Sequence, residues 1–276
     1  MAVAVLGCQD PRCYSSLMAR SAGDDSPRSM AEQLAEVLWG PEPSGTRGPR
    51  PVLTRATVIE AAIAIADSEG LSATSLRAIA GRLGVSVAGL YRYVAGKTEL
   101  IALMVEHARR EVVVAGRAST GREGLEGRAM ADWDLYHRHA WLLDVPMGRV
   151  PAGPSTVAHF DAGLAAALDA GLTPPRAVSL VTSIDHLVTG AARDSLDKRA
   201  FARDSGMDPL QWWKLQGEVV IERRMAEGEF PALAQVITAE GFDRPVSPNQ
   251  CGDIFREAFR ESLRSLLDGG VQQEIR

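Results

Sequence analysis

Apolar positions recur along this chain at helical spacing, in runs separated by glycine and proline. The most informative run is residues 75–97, SLRAIAGRLGVSVAGLYRYVAGK. Leu76, Ile79, Ala80 and Leu83 fall three or four apart and form one stripe. Ser75 stands at an N-cap position, where its hydroxyl can accept an orphan backbone N–H. Gly84 follows the stripe, where a helix C-terminus favours a left-handed residue. Val85 is predicted to pack inward, Ser86 to cap a second helix and Leu90 to anchor it. That leaves Val87, Ala88, Gly89, Tyr91, Arg92 and Tyr93 for other faces, and Lys97 at the opening of a further helix. This is a helix-turn-helix pattern, in which one helix crosses the DNA backbone and the next enters the major groove.

The same period extends in both directions. Ser29–Trp39 reads as a short amphipathic helix with Met30, Leu34, Val37 and Leu38 on one side. Residues 40–51 form a Pro/Gly/Arg linker that cannot stay helical, and its RGPRP core carries Arg47 and Arg50 just ahead of the motif. Thr54 or Thr57 caps the first long helix, whose buried face is Val58, Ala62, Ile65 and Ala66 and which ends near Gly70. From Lys97 to about Gly116, Leu100, Leu103, Met104 and His107 are in register. Beyond it helices are predicted near 123–143, 154–170, 174–200, 208–227, 231–239 and 250–268. No alternating run of convincing strand length occurs, and no tandem repeat. The fold class is therefore all-α.

Residues 53–104 resemble the DNA-binding end of the tetracycline-repressor (TetR) family. The likeness rests on LTRATVIEAAIAIADSEGLSATSL, on LGVS paired with GLYRYVAGK, and on KTELIALM. It implies that Tyr91 and Lys97 hold phosphates and that Arg77 touches DNA. More weakly, GLTPPRAVSLVTSIDHLVTGA resembles the family's ligand-binding domain, with Gly171, Ala177, His186 and Gly190 on typical positions. One departure matters. In tetracycline-binding members a His in the loop before the equivalent of Gly153 helps hold a drug-bound magnesium; here that loop reads RVPAGP and the matching position is Pro151, which offers no side-chain ligand. The tetracycline–magnesium chemistry is not carried over, and no cofactor or metal is expected.

Charge adds an asymmetry. The whole chain of 276 residues carries a formal −5. Residues 47–97 hold seven basic and three acidic side chains, so this part is +4 and the remainder −9. A basic segment on an acidic body fits a DNA-binding end that the rest of the molecule does not share, although chance fluctuation gives the same count. Cys8, Cys13 and Cys251 are too few and too scattered for a disulfide framework, which fits a reduced, cytoplasmic setting. MAVAVLGC lacks a basic n-region and a long enough apolar stretch for a signal, so residues 1–28 read as a poorly ordered tail. No run of about 18 apolar residues predicts a membrane span.

Within the recognition helix, Val87, Ala88 and Gly89 are small enough to bring backbone close to base edges, and Ser86 opens it. Arg92 has the planar fork suited to guanine, and Arg77 is a second candidate reader. Ser75, Tyr91, Tyr93 and Lys97 are expected to fix position through phosphates. The alternative for the two tyrosines is packing with wet hydroxyls. Arg47 and Arg50 form either a basic arm for a minor groove or phosphates, or a solvated linker.

DWDLYHRHAW, residues 132–141, is the densest polar-aromatic cluster. Read as continuous helix, it places His137 one turn after Asp134 and Trp141 one turn after His137. Trp133, His137, Trp141, His159, Asp185 and His186 are the candidate ligand contacts; each histidine reads equally as a satisfied core group. The last helix carries Phe255, Ala258, Phe259, Leu263 and Leu266 in a wide stripe, a candidate dimer interface or an intramolecular core.

The expected architecture is an N-terminal extension (1–50), a helix-turn-helix domain (51–98) and a larger ligand-binding and dimerisation domain (99–276). The expected function is a repressor that binds a palindromic double-stranded DNA operator as a homodimer and is released by a small hydrophobic or aromatic effector. Alternatives are an activator or partner-controlled regulator, and a helical metal-dependent enzyme using Asp134, His137 or His139. No Gly-rich phosphate loop or nucleophile elbow supports catalysis.

Overall fold

A computed structural model describes residues 27–40, 53–115, 119–146, 152–217, 222–226, 228–238 and 254–272. Arg47, Arg50 and Pro151 lie outside these residues. Every regular element among the described residues is helical. In chain order they are α1 (Pro27–Trp39), α2 (Arg55–Glu69), α3 (Leu76–Leu83), α4 (Val87–Leu90), α5 (Lys97–Ala115) and α6 (Gly121–Arg138). A 3-10 turn (Ala140–Asp144) is followed by α7 (Pro154–Asp169), α8 (Pro174–Ser205), α9 (Pro209–Gln216), α10 (Glu222–Ala226), α11 (Pro231–Thr238) and α12 (Ile254–Gln272).

The chain forms two compact units, residues 1–189 with 266–276, and residues 190–265. In the first, α2 packs on α3 and on α5, and α5, α6 and α7 pack on one another. Val58, Ala62, Ile79, Leu90, Leu100 and Met104 are essentially buried and form the core that joins the small helices to α5. α1 also lies on α5, and the Trp39 indole N–H donates to the Ala152 carbonyl at 2.9 Å. A cleft of about 100 Å³ opens between α1, α2 and α5, bordered by Val37, Leu38, Ile59, Leu103 and His107. In the second unit Phe201 meets Trp212 with ring centroids 6.0 Å apart, and the Lys198 ammonium stands 5.3 Å above the Phe255 ring.

Local chemistry sets most of the boundaries. The Thr54 hydroxyl accepts the Thr57 N–H at 3.1 Å and starts α2. Ser75 does the same for α3, accepting the Ala78 N–H at 3.1 Å. Gly84 closes α3 with φ 67° and ψ 30°, a left-handed conformation open to glycine without steric cost. At the start of α7 the Glu106 carboxylate of α5 accepts the Ser155 and Thr156 N–H groups, a negative group at a helix N-terminus.

Three boundaries differ from the sequence reading. The helix expected over 123–143 ends at Arg138; His139 leaves helical backbone with φ −125° and ψ 66°, and a 3-10 turn follows. Trp141 is therefore not one helical turn beyond His137 on a common face. The helix expected to stop at 200 runs to Ser205 and is closed by Gly206 at φ 68°. Of the helix expected over 208–227, α9 and α10 are described, and residues 218–221 between them lie outside the described residues. The last helix, expected to stop near 268, continues through Gly269 and Gly270, with the Leu180 side chain packed over the latter.

Candidate nucleic-acid interface and ligand core

Four residues make up α4, and one cap fixes its start. The Ser86 hydroxyl accepts the Gly89 N–H at 3.2 Å. Leu90, fully buried, roots the element in the core. Ala88 and Arg92 point to solvent, and Tyr91 is 57% exposed. Val87 and Gly89 are half-buried. Arg77 on α3 and Lys97 at the first position of α5 are also exposed, as are Ser75 and Ser86.

Tyr93 behaves differently from Tyr91. Its hydroxyl donates to the Leu53 carbonyl at 3.1 Å, and its own carbonyl accepts from Arg55 Nε at 3.2 Å. These two bonds tie the turn after α4 to the start of α2. The Tyr93 hydroxyl, expected at a phosphate, is thus engaged with a carbonyl within the chain. Just before α5, the Ala95 N–H donates to the Glu99 carboxylate at 3.2 Å and closes the loop that delivers Lys97.

A second constellation lies deep in the body. Arg109 of α5 donates to Asp132 of α6 at 2.8 Å and to the Tyr136 hydroxyl at 3.1 Å. His159 of α7 donates through Nε2 to the other Asp132 oxygen at 2.8 Å. Arg128 of α6 donates through Nε to the His159 carbonyl at 3.2 Å and pairs through Nη2 with Asp185 of α8 at 2.7 Å. Asp132 is 2% exposed, so its pairs with Arg109 and His159 are desolvated. Gly163 of α7 makes room for them: a Cβ there would stand 3.0 Å from Arg128 Nε and 3.2 Å from Val181. Burial alone would raise the Asp132 carboxyl, but the paired and hydrogen-bonded His159, then Arg109 and Arg128, hold it well below the usual carboxylate range. Burial alone would likewise lower Arg109; Tyr136 and Asp132 overcome it and raise the guanidinium further.

A third cluster joins the small helices to the body. His139 donates to Asp67 of α2 at 2.8 Å and to Glu111 of α5 at 3.2 Å. The Trp141 indole donates to the same Asp67 oxygen at 2.9 Å, and Arg138 pairs with Glu111. These long-range bonds act on the segment where α6 stops.

The expected ligand contacts are therefore scattered. Trp133 is 2% exposed and stacks on His137, with centroids 4.3 Å apart, and His137 donates to the Trp133 carbonyl at 2.8 Å. His159 and Asp185 belong to the buried charged layer. Trp141 belongs to the Asp67 cluster instead, and His186 is exposed on α8. In α12, Phe259 and Leu263 are each 2% exposed within the single chain and serve its own interior. The stripe is wide enough to face two ways, and Phe255, Ala258 and Leu266 remain half-buried.

Asp67, Glu106, Arg109, Glu111 and Arg128 escaped the sequence reading. One signal was available for the buried layer: Arg128, Asp132 and Tyr136 are spaced four apart, a polar line on an otherwise buried helix face that includes Leu125 and Ala129. Among the described residues, no group of three or more His, Cys, Asp or Glu side chains is disposed to hold a metal. No helix among them is long and apolar enough to cross a membrane.

A capped three-helix DNA-binding end, with a long helix leading into an all-helical body, defines a class: helix-turn-helix transcriptional regulators. Comparison with known proteins narrows it. Residues 58–104 match the family model for bacterial regulatory proteins of the tetR family, and residues 115–272 match the tetracyclin repressor-like C-terminal domain. The chain is 38% identical over 236 residues to the HTH-type transcriptional repressor DrrR1 of Streptomyces coeruleorubidus, covering 85% of this chain and 83% of that one. Its fold is similar to that of ActR of Streptomyces coelicolor solved with actinorhodin, with TM-score 0.61, 21% identity, and 81% and 97% of the two chains covered. It is also similar to SCO7222, a TetR from Streptomyces coelicolor, with TM-score 0.58, 21% identity, and 80% and 98% covered. The chain belongs to the tetR family and is a DNA-binding transcriptional repressor. The matched models and relatives are regulators, not enzymes.

Proposed function

We propose that this repressor acts as a homodimer on a palindromic operator and is released by a small hydrophobic or aromatic effector bound in its body. The observation that carries the DNA side is the capped start of α4, with Ala88, Tyr91, Arg92 and Lys97 all exposed. In this reading Arg92 and Arg77 read base edges, Val87, Ala88 and Gly89 allow close approach, and Ser75, Ser86, Tyr91 and Lys97 hold phosphates. Two copies of α4 must stand about 34 Å apart to read half-sites one helical turn apart.

Dimerisation supplies that span. The half-buried Phe255, Ala258 and Leu266 of α12 are the surface we assign to it. Exposed Trp212, Leu215, Val236 and Ile237 in the same half of the chain support an associating surface there.

The effector side draws on ActR, whose structures were solved with actinorhodin and with (S)-DNPA. An effector that favours a conformer with the wrong span weakens operator binding, and operator must weaken effector binding by the same factor. α5 starts at Lys97 and carries Glu106, Arg109 and Glu111, so it is in contact with both clusters of the body.

The test is selection of binding sites from random duplex, followed by effector-induced release. A dimer with selective affinity for an inverted repeat is the expected result. A chain that sediments as a monomer and binds all duplexes alike overturns the proposal.

A further inference from the structure

Among the described residues, three buried side-chain polar atoms lack a hydrogen-bond partner: Arg109 Nε, Arg128 Nη1 and Thr182 Oγ1. Arg109 and Arg128 belong to one layer of the body, and Thr182 stands three residues before Asp185 on α8. Arg109 and Arg128 share Asp132 as a neighbouring charge, and Arg128 pairs with Asp185, one turn from Thr182 on α8. Arg128 engages two of its nitrogens, Nε with the His159 carbonyl and Nη2 with Asp185, and leaves the third. Its side chain is only 4% exposed. Thr182 is equally distinctive: on the same helix Ser179 and Ser183 donate to the carbonyls four residues back, at 3.0 and 2.9 Å, whereas Thr182 makes no such bond.

Buried guanidinium N–H groups are costly to leave unpaired. Two such donors in the layer joining α5, α6 and α8, with the Thr182 hydroxyl one helical turn from Asp185, leave it two donors and one adaptable group. We infer that this layer is the polar end of the effector site, with Arg128 and Thr182, aided by Arg109, receiving a ketone or phenolic oxygen on an aromatic effector. The inference rests on the effector reading above and specifies the chemistry of the same site. It also gives the effector mechanical consequences. An oxygen that takes an Arg128 donor inserts beside the Arg128–Asp185 pair, the bond that joins α6 to α8. Asp185 is 30% exposed, so the pair is reached from solvent on that side.

The test uses the full chain and three probes of similar size: 1,8-dihydroxyanthraquinone, 9,10-anthraquinone and anthracene. Binding is read by titration calorimetry and by release of selected operator duplex. The native chain should bind the dihydroxyquinone about tenfold or more tighter than anthracene, the range for hydrogen bonds to a charged donor. Arg128→Met should abolish that preference, so that the three probes bind with similar affinity. Because Arg128→Met leaves Asp185 without its partner, Thr182→Val provides a milder variant, and it should cut the preference severalfold.

Equal affinity for the three probes, or a preference untouched by both variants, overturns the oxygen site; operator release by any probe would still leave the effector reading standing. Failure of all three to bind overturns the site as assigned. Tight dihydroxyquinone binding with no operator release supports the site and refutes the effector reading.

Discussion

The reading end and the body are held together by different means. Residues 54–97 take their shape from neutral caps at Thr54, Ser75, Ser86 and Gly84 over an apolar core. The body between Arg109 and Asp185 is joined by charges on four helices that are distant in sequence. The lesson is a division of labour. Caps act over one turn and hold their geometry whatever happens elsewhere, which suits an element that must present the same side chains to every operator. Cross-helix pairs depend on the mutual placement of α5, α6, α7 and α8. A ligand that shifts one helix disturbs all of them.

The comparison breaks most visibly at Asp132. Asp132→Leu leaves Arg109 and His159 buried without their shared partner, and should cost about 3–5 kcal/mol in urea unfolding. A loss under about 1 kcal/mol would place the charged layer outside the structural core. The pH sign is defined. Because the Asp132 carboxyl is lowered in the folded state, its contribution is complete above the ordinary carboxylate value and lost as pH falls below it. The stability gap between native chain and Asp132→Leu should therefore be constant near neutrality and shrink below about pH 4.

At the reading end effects should be smaller and fall on binding. Arg92→Ala should cost about 1–3 kcal/mol at one base pair and relax preference there. Equal losses on operator and scrambled duplex would remove Arg92 as a reader. Ser86→Ala should cost about 1 kcal/mol of stability through the lost cap, measured by thermal unfolding, and should weaken operator binding with it. The mildest change is Lys97→Ala. It should weaken all duplexes alike and reduce the slope of log affinity against log salt by about one.

The same contrast explains what the sequence discloses. Caps and stripes are written locally: Ser75, Gly84, Ser86 and Leu90 fall at the positions the pattern predicts. The stop of α6 at Arg138 is not local. His139 sits in a strongly helical pattern, and it leaves the helix where its ring reaches Asp67 on α2 and Glu111 on α5. A pattern of spacing carries no record of partners 28 and 72 residues away. Arg109 and Arg128 are hidden for a related reason. On a helical wheel a cation marks a wet face, and only its pairing with Asp132 and Asp185 reverses that. Tyr93 shows the limit of spacing: the pattern leaves it on an outer face beside Tyr91, while its hydroxyl finds the Leu53 carbonyl, 40 residues away in the chain.

Asp67 receives both His139 and Trp141, and it stands on α2, not on α3 or α4. In the proposed mechanism the body therefore acts on the small domain upstream of the segment assigned to read bases. Residues 75–97 are, in this respect, a removable cartridge. Exchanging them for the corresponding stretch of a relative would redirect the protein to another promoter while the linkage to the helical body stays in place.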